Sequence, residues 1–273
     1  HVSLQPLTQP ETRTREAFAE AMAAFSLPEG ARVAVAVSGG ADSMALLRLL
    51  AVWAQDRKIA VCALTVDHGL RDAAAAEAEH VGAWAAAIGV PHTSLRWENG
   101  SALRGQTRSF QSAAREARYG LMTSWCAAHE CTHLFVGHHA DDQVETFFLR
   151  LTRGSGVDGL SAMAPAARRG SIVVARPLLA ITKAQLLDFC RDIGQAWIED
   201  PSNHSTASGR VRFRNARAML AGEGLTHERL LATIAHLQRA RAALDEGVAG
   251  LLASACVWDE CGVATLDIPR LLS

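Results

Sequence analysis

The chain has 273 residues, 49% of them apolar, and a formal net charge of −1. That length can bury a core in one large domain, or in a medium domain and a small one, and the composition excludes disordered and fibrous classes. The charge by itself argues for no polyanionic partner. No apolar run is long enough to cross a bilayer and no basic-then-apolar leader opens the chain, so a cytoplasmic setting without membrane contact is expected. The first residue is His1 rather than Met, consistent with a start inside a longer gene product or after a tag. Cys62, Cys126, Cys131, Cys190, Cys256 and Cys261 contain no C-x-x-C pair and read as reduced thiols, not as a disulfide scaffold or a zinc site.

Residues 32–37 (RVAVAV) predict a strand and Asp42 to Gln55 a helix. A second strand at 59–66 precedes a helix from Ala74 to Ile88, an extended stretch near 91–97 and a helix from Phe110 to Ala128. Strand 133–137, helix Asp141 to Leu151, strand 171–175 and helix Lys183 to Ile193 complete the series. Continuous apolar strands separated by amphipathic helices predict an α/β fold, a doubly wound parallel sheet covered on both faces, with its crevice at the carboxyl ends of the strands. From Gly224 the pattern is helical, with Leu230, Leu231, Ile234, Leu237, Leu244, Val248, Leu251 and Leu252 on one apolar face. The loop-like basic stretch 200–216 divides a first domain, 1–208, from a mainly helical one, 209–273. Leu266 to Pro269 predicts a strand leading into a helix, and a chain that stops there at Ser273 implies further protein beyond it.

Three strings stand at predicted strand ends. Ser38-Gly39-Gly40-Ala41-Asp42-Ser43 lies between a buried strand and a helix. Glycines there permit a sharp turn and close approach to a ligand, and a helix start offers unpaired N–H groups to an anion, with serine hydroxyls as further donors. No lysine follows the glycines, so this is not the phosphate loop of kinases and GTPases. Asp67-His68-Gly69 ends the second strand, and reads equally as a nucleotide border or an ordinary polar turn. Gly137-His138-His139-Ala140-Asp141-Asp142-Gln143-Val144-Glu145-Thr146 opens a helix on which Asp142 and Glu145, three apart, share a face. Carboxylates near a phosphate site need a cation between them, either an amine substrate or a metal. A dedicated metal site at His138, His139, Asp141 and Asp142 is the rival reading, and Asp141 could simply cap the helix. Two arginine groups, Arg210, Arg212, Arg214 and Arg217, and Arg104, Arg108, Arg115 and Arg118, are either solvated faces or contacts to a phosphate backbone.

The string SGG-x-DS resembles the loop of the PP-loop ATP pyrophosphatases, which split ATP into AMP and pyrophosphate on an adenine nucleotide alpha hydrolase-like fold. GHHxDDQxET, continued through Arg150, Arg153, Gly154, Gly156, Gly159 and Met163, is similar to the lysidine synthases within that class. Arg115-Glu116-Ala117-Arg118-Tyr119, Arg176-Pro177-Leu178-Leu179 and Glu199-Asp200-Pro201-Ser202-Asn203 follow in that family's order, so the likeness runs from residue 38 to 203. Beyond it, Arg214-Asn215 departs from the family's R-N-x-(apolar)-R pattern, because Arg217 occupies the apolar place. Which of Arg210, Arg212 and Arg214 is functional stays open.

The resemblance implies a ligase (EC 6.3.4.-) that uses ATP and Mg²⁺ to join free L-lysine to C2 of the wobble cytidine of an isoleucine tRNA with a CAU anticodon. Ser38, Gly39, Gly40, Ala41, Asp42, Ser43, Asp67, His68 and Arg118 would bind the nucleotide, with Asp42 holding the metal. Asp42, His138, Asp142 and Glu145 would be catalytic, and Arg115, Arg210, Arg212 and Arg214 would face tRNA. A homodimer is compatible with the chain, whose oligomeric state the string does not specify. The alternatives in the same class are a tRNA thiolase, whose cysteine pairs this chain does not match, and a small-molecule amidoligase, which would lack the HHxDDQxET string.

Overall fold

The structure is a computed structural model, and it describes residues 9–67, 73–97, 107–199 and 219–271. Strands β1 (Arg32–Ala36), β2 (Ala60–Asp67), β3 (His92–Arg96), β4 (Cys131–Phe135), β5 (Ala166–Arg169) and β6 (Ile172–Ala175) form one sheet in the order β3-β2-β1-β4-β6-β5. All neighbours run parallel except β5, which pairs antiparallel with β6 at the edge. The chain runs outward from β1 to β3, then returns to place β4 on the other side of β1. The strand order therefore reverses between β1 and β4, and the crevice of such a sheet opens there.

Alternation along the strands builds two cores. Val33, Val35, Ala63, Phe135 and Ala175 face a layer of helices α1 (Gln9–Met22), α2 (Ala41–Gln55), α3 (Ala73–Ala86) and α7 (Lys183–Asp192). Ala34, Leu64, Leu134 and Val174 face the opposite layer, where α4 (Thr107–Ala128) supplies Tyr119, Met122 and Cys126. Helix α2 is apolar nearly all round because it is buried nearly all round, with Met44, Leu46, Leu47, Leu49 and Leu50 at 0–2% exposure. Each such side chain contributes about 1.5–3 kcal/mol of burial, so the helix carrying Asp42 is rigidly held.

The chain divides into two compact units, His1–Asp142 with Pro165–Ser205, and Gln143–Ala164 with Thr206–Ser273. The segment Gln143–Ala164, which the sequence reading assigns to the first domain, thus belongs to the second unit. The reason lies in its contacts. Val144, Phe147 and Phe148 of α5 (Ala140–Leu151) pack with Ala162 and with Leu230 and Ile234 of the long helix α8 (His227–Ala255). Gln238 Nε2 donates to Ser161 O and Met163 O, and Arg241 pairs with Asp158 at 2.8 Å.

Four further features depart from the sequence reading. Helix α1 and strand β5 were not expected, and the apolar face of α8 is buried only in its first half, leaving Leu244, Val248, Leu251 and Leu252 exposed. The region after Gly224 is not wholly helical, since β7 (Cys256–Trp258) and β8 (Ala264–Leu266) form a hairpin whose turn is closed by Asp259 Oδ1 accepting from Cys261 N–H and Val263 N–H. No helix among the described residues is long and apolar enough to cross a membrane.

Candidate active site

The turn from β1 into α2 is built almost entirely by backbone. Val37 N–H donates to Leu64 O at 2.8 Å, extending the parallel ladder beyond β1. Thr65 Oγ1 donates to Val37 O at 2.8 Å, so its contact with His92 Nε2, also 2.8 Å, has the imidazole as donor. The chain then reverses at Gly39, whose φ of +86° disfavours any L side chain, and a Cβ there would lie 2.6 Å from Ile198 Cδ1. Ile198 N–H donates to Gly39 O at 2.9 Å and fixes the turn from the far end of the unit's sequence.

Gly40 opens α2 without a side-chain cap, which leaves the positive end of the helix available to an anion. Ser43 Oγ donates to Gly40 O at 2.9 Å and accepts from Ser38 N–H at 3.1 Å. Its one proton is thereby committed, so in the 3.3 Å contact between the two hydroxyls Ser38 is the donor. Ser43 shapes the loop, while the Ser38 hydroxyl is the rotor that can turn toward a ligand.

The turn from β4 into α5 is built by side chains. Gly137 lets it approach α2, since a Cβ there would stand 3.3 Å from the Asp42 carbonyl and Ser43 N. Asp142 Oδ2 accepts from His139 N–H at 3.0 Å, the reach-back of a third helical residue to its own cap. Asp141 Oδ2 accepts from Lys183 N–H at 2.8 Å and so caps α7, alongside the capping box of Thr182 and Gln185. His139, at 5% exposure, sits among the carboxylates. Its Nε2 is 3.6 Å from both Asp42 Oδ2 and Asp142 Oδ2, and its Nδ1 is 3.8 Å from Asp141 Oδ2. Lys183 Nζ closes the group at 2.6 Å from Asp42 Oδ1.

Asp42 and Asp142, both expected from sequence, are therefore brought together, with Lys183, which the sequence reading did not name, and His139, which it named only in the rival metal reading. His138 immediately precedes His139, its N–H donating to Val136 O at 3.0 Å. Glu145 lies one turn beyond Asp142 on α5, within the second unit, and is buried at 4% exposure. The rest of that string is scaffolding: the Gln143 side chain makes paired hydrogen bonds with Met163 N–H and O, at 2.8 and 2.9 Å, and Arg150 donates to Gly159 O and Ala162 O.

Among the described residues no group of three or more His, Cys, Asp and Glu side chains is arranged to hold a metal ion. In the rival metal reading at His138, His139, Asp141 and Asp142, the two carboxylates instead accept backbone N–H groups. The Asp42 carboxylate, beside a loop that suits phosphate, does fit magnesium, which takes one or two protein oxygens and completes its shell with phosphates and water.

On α4, Arg115 and Arg118 lie 5.4 and 5.8 Å from the Tyr119 ring centroid. Arg169 of β5 lies 4.5 Å from the same ring and forks onto Glu116 at 2.6 and 3.1 Å. Arg176, just past β6, lies close enough to Tyr119 and Arg115 to interact with them electrostatically. The R-x-x-R-Y and R-P-L-L strings thus meet at one aromatic ring. Burial lowers the pKa of the Arg118 and Arg176 guanidiniums below the ordinary arginine value. Cations stripped of water in this way suit an anionic ligand. Asp67 closes β2 at the same carboxyl edge as the β1 turn, while His68, Arg210, Arg212 and Arg214 lie outside the described residues.

Comparison with known proteins adds three findings. A family model described as a PP-loop domain matches residues 8–219. The tRNA(Ile)-lysidine synthase of Ruegeria pomeroyi is 45% identical over 223 residues, covering 82% of this chain and 52% of that protein, and that of Rhodopseudomonas palustris is 40% identical over 248 residues, covering 89% and 69%. The chain thus spans about half the length of the first of these relatives. A U34-tRNA thiolase from Methanococcus maripaludis superposes with a TM-score of 0.72 at 16% identity, over 84% of this chain and 79% of that one, which shows a shared fold.

Proposed function

The chain belongs to the family of PP-loop, ATP-utilising domains typified by the tRNA(Ile)-lysidine synthases, and from that membership we propose that it carries the catalytic part of such an enzyme. The reaction is ligation of L-lysine to C2 of the wobble cytidine in an isoleucine tRNA with a CAU anticodon. The cytosine O2 attacks the α-phosphate of ATP, forming an adenylated cytidine and releasing pyrophosphate. The lysine ε-amine, having given up its proton, then attacks C2 and displaces AMP.

The residues divide between these steps. Ser38 to Ser43 and the start of α2 offer backbone donors to the pyrophosphate as its charge develops. Asp42 would hold magnesium, which would supply charge neutralisation at the same end. Asp67, His68 and Arg118 border the nucleotide, while Arg115, Arg210, Arg212 and Arg214 face the tRNA, with residues 1–208 catalytic and the mainly helical stretch 209–273 contacting tRNA. Asp142 and Glu145 hold the lysine ammonium, and one of them or His138 takes its proton, which an amine must lose to act.

The observation that carries this reading is the meeting of the two strings across His139, whose Nε2 is 3.6 Å from Asp42 of the phosphate turn and from Asp142 of the carboxylate turn. A splayed-out base and an amine could both be served there. The test is incubation with ATP, radiolabelled L-lysine and unmodified isoleucine tRNA. Label is expected in the tRNA; cleavage of ATP without label entering it would assign a different nucleophile.

A further inference from the structure

The phosphate turn contains no cation of its own, yet the site around it holds Asp42, Asp141 and Asp142. A triphosphate entering such a place meets repulsion unless a positive charge is delivered from elsewhere in the fold. Lys183 is placed to deliver it. Its backbone N–H is fixed by Asp141 Oδ2 at 2.8 Å, which sets it as the first residue of α7. Packing of α7 on α2 continues below it, where the Cys190 thiol donates to Ala41 O at 3.6 Å. The side chain then crosses to Asp42 Oδ1, 2.6 Å away, with 39% of its surface still open to solvent.

Composition makes this lysine informative. Lys58 and Lys183 are the only lysines among 27 basic Lys and Arg residues, and Lys58 forms an exposed pair with Glu29. In a chain that otherwise uses arginine, the ammonium at 183 provides what a guanidinium does not, a compact point charge with three rotatable donors on a flexible stem. Such a group can leave one oxygen for another without reshaping the site. Asp42 could not hold magnesium and a close ammonium partner in the same way, so Lys183 would be free to leave it once the nucleotide is bound.

We propose that Lys183 is a nucleotide-binding residue, whose ammonium guards Asp42 before ATP binds and transfers to the β,γ-phosphate oxygens when magnesium–ATP arrives. The fold thereby supplies from α7 the lysine that the turn after β1 lacks. The assignment rests on the nucleotide reading given above, and it places the contact at the pyrophosphate end because Lys183 reaches Asp42 at the start of α2, beside the turn that reading gives to the pyrophosphate.

The experiment is calorimetric binding of ATP, AMP and inorganic pyrophosphate, in magnesium buffer, to the wild-type chain, Lys183→Met, Asp42→Asn and the double variant. Lys183→Met is expected to weaken ATP and pyrophosphate roughly ten- to a hundredfold, the scale of one charge-assisted hydrogen bond, and to leave AMP within about twofold. The double variant has no stranded carboxylate, so it also serves if the single variant folds poorly, and it is expected to bind ATP at least roughly tenfold more weakly than Asp42→Asn. Equal ATP affinity of Asp42→Asn and the double variant would make Lys183 a structural counter-ion of Asp42 alone and overturn the proposal, as would equal loss of AMP binding. If the wild-type chain binds none of the three, the nucleotide reading itself falls, and the Lys183 role with it.

Discussion

The two turns that flank the reversal of strand order, β1 to α2 and β4 to α5, are built on opposite plans. The first is a backbone device: glycine at positive φ, an uncapped helix start, and two serines whose hydrogen bonds mostly close the loop on itself. The second is a side-chain device, in which Asp141, Asp142 and His139 fix one another, α7 and the approach to Asp42. Backbone donors suit a ligand whose charge is spread over many oxygens and whose position, not identity, matters. Carboxylates around an imidazole suit a step in which an amine must be oriented and deprotonated. Under the proposed function, the contrast would assign one step of the reaction to each turn.

Asp42 stands at the end of the first turn and is approached by His139 of the second, so removing it should have the largest effect. Asp42→Ala is expected to lower ATP–pyrophosphate exchange by at least roughly a hundredfold, with the far-ultraviolet spectrum unchanged because Lys183 can turn to solvent. Exchange at the wild-type rate would remove Asp42 from the first step.

Glu145→Ala separates the turns. Lysine transfer from a preformed adenylated tRNA should slow by roughly a hundredfold, as for loss of a proton acceptor or amine anchor, while exchange stays near wild type. Equal slowing of both steps would contradict a role confined to the amine.

Gly39→Ala strikes the backbone turn alone. The positive φ costs a non-glycine residue about 1–2 kcal/mol, and the new Cβ must also displace the Ile198 side chain. Weaker binding of ATP and pyrophosphate and a lower unfolding temperature are expected together, with AMP affected less. A variant that keeps ATP affinity would show that the turn is not held by the ligand's phosphates.

The backbone turn was legible in the sequence because it is local: six consecutive residues between an apolar strand and an apolar helix state it completely. The parallel sheet was legible for a similar reason, since the runs at 32–37 and 59–66 are continuous and apolar. The side-chain turn was legible only in part. Asp42 and Lys183 lie 141 residues apart, and no local pattern announces their contact. The scarcity of lysine was the one available signal. His139 stands in a double-histidine string in which either ring could be the buried one, and only the packing distinguishes them. Strand β5, Ala166–Arg169, is a mostly exposed edge with no apolar alternation to reveal it, and β7 has three residues, too short for a period to show, whereas the strand expected at Leu266–Pro269 lies at 264–266 as β8 and is followed, as expected, by a helical turn at Ile268–Leu271.

The smallest effect concerns the support beneath the backbone turn. His92 Nε2–H donates to Thr65 Oγ1, which donates in turn to Val37 O just before Ser38. Burial lowers the His92 pKa below its ordinary 6.5, because the charged ring would lose water without gaining a carboxylate. Below pH 6.5 the unfolded chain therefore binds a proton that the folded chain does not, so stability falls as pH drops through 6.5 toward the folded value. Above pH 6.5 both forms are neutral and the contribution is flat. His92→Gln keeps an N–H donor for Thr65 but cannot titrate, so its stability should fall less steeply than that of the wild type between about pH 6.5 and 5. Parallel urea midpoints for the two proteins across that range would show that His92 does not report on the turn. A shallower slope for the variant, with ATP affinity kept at pH 7.5, would show that the backbone turn tolerates a changed support as long as its hydrogen bond survives. The carboxylate turn has no such substitute for Asp42.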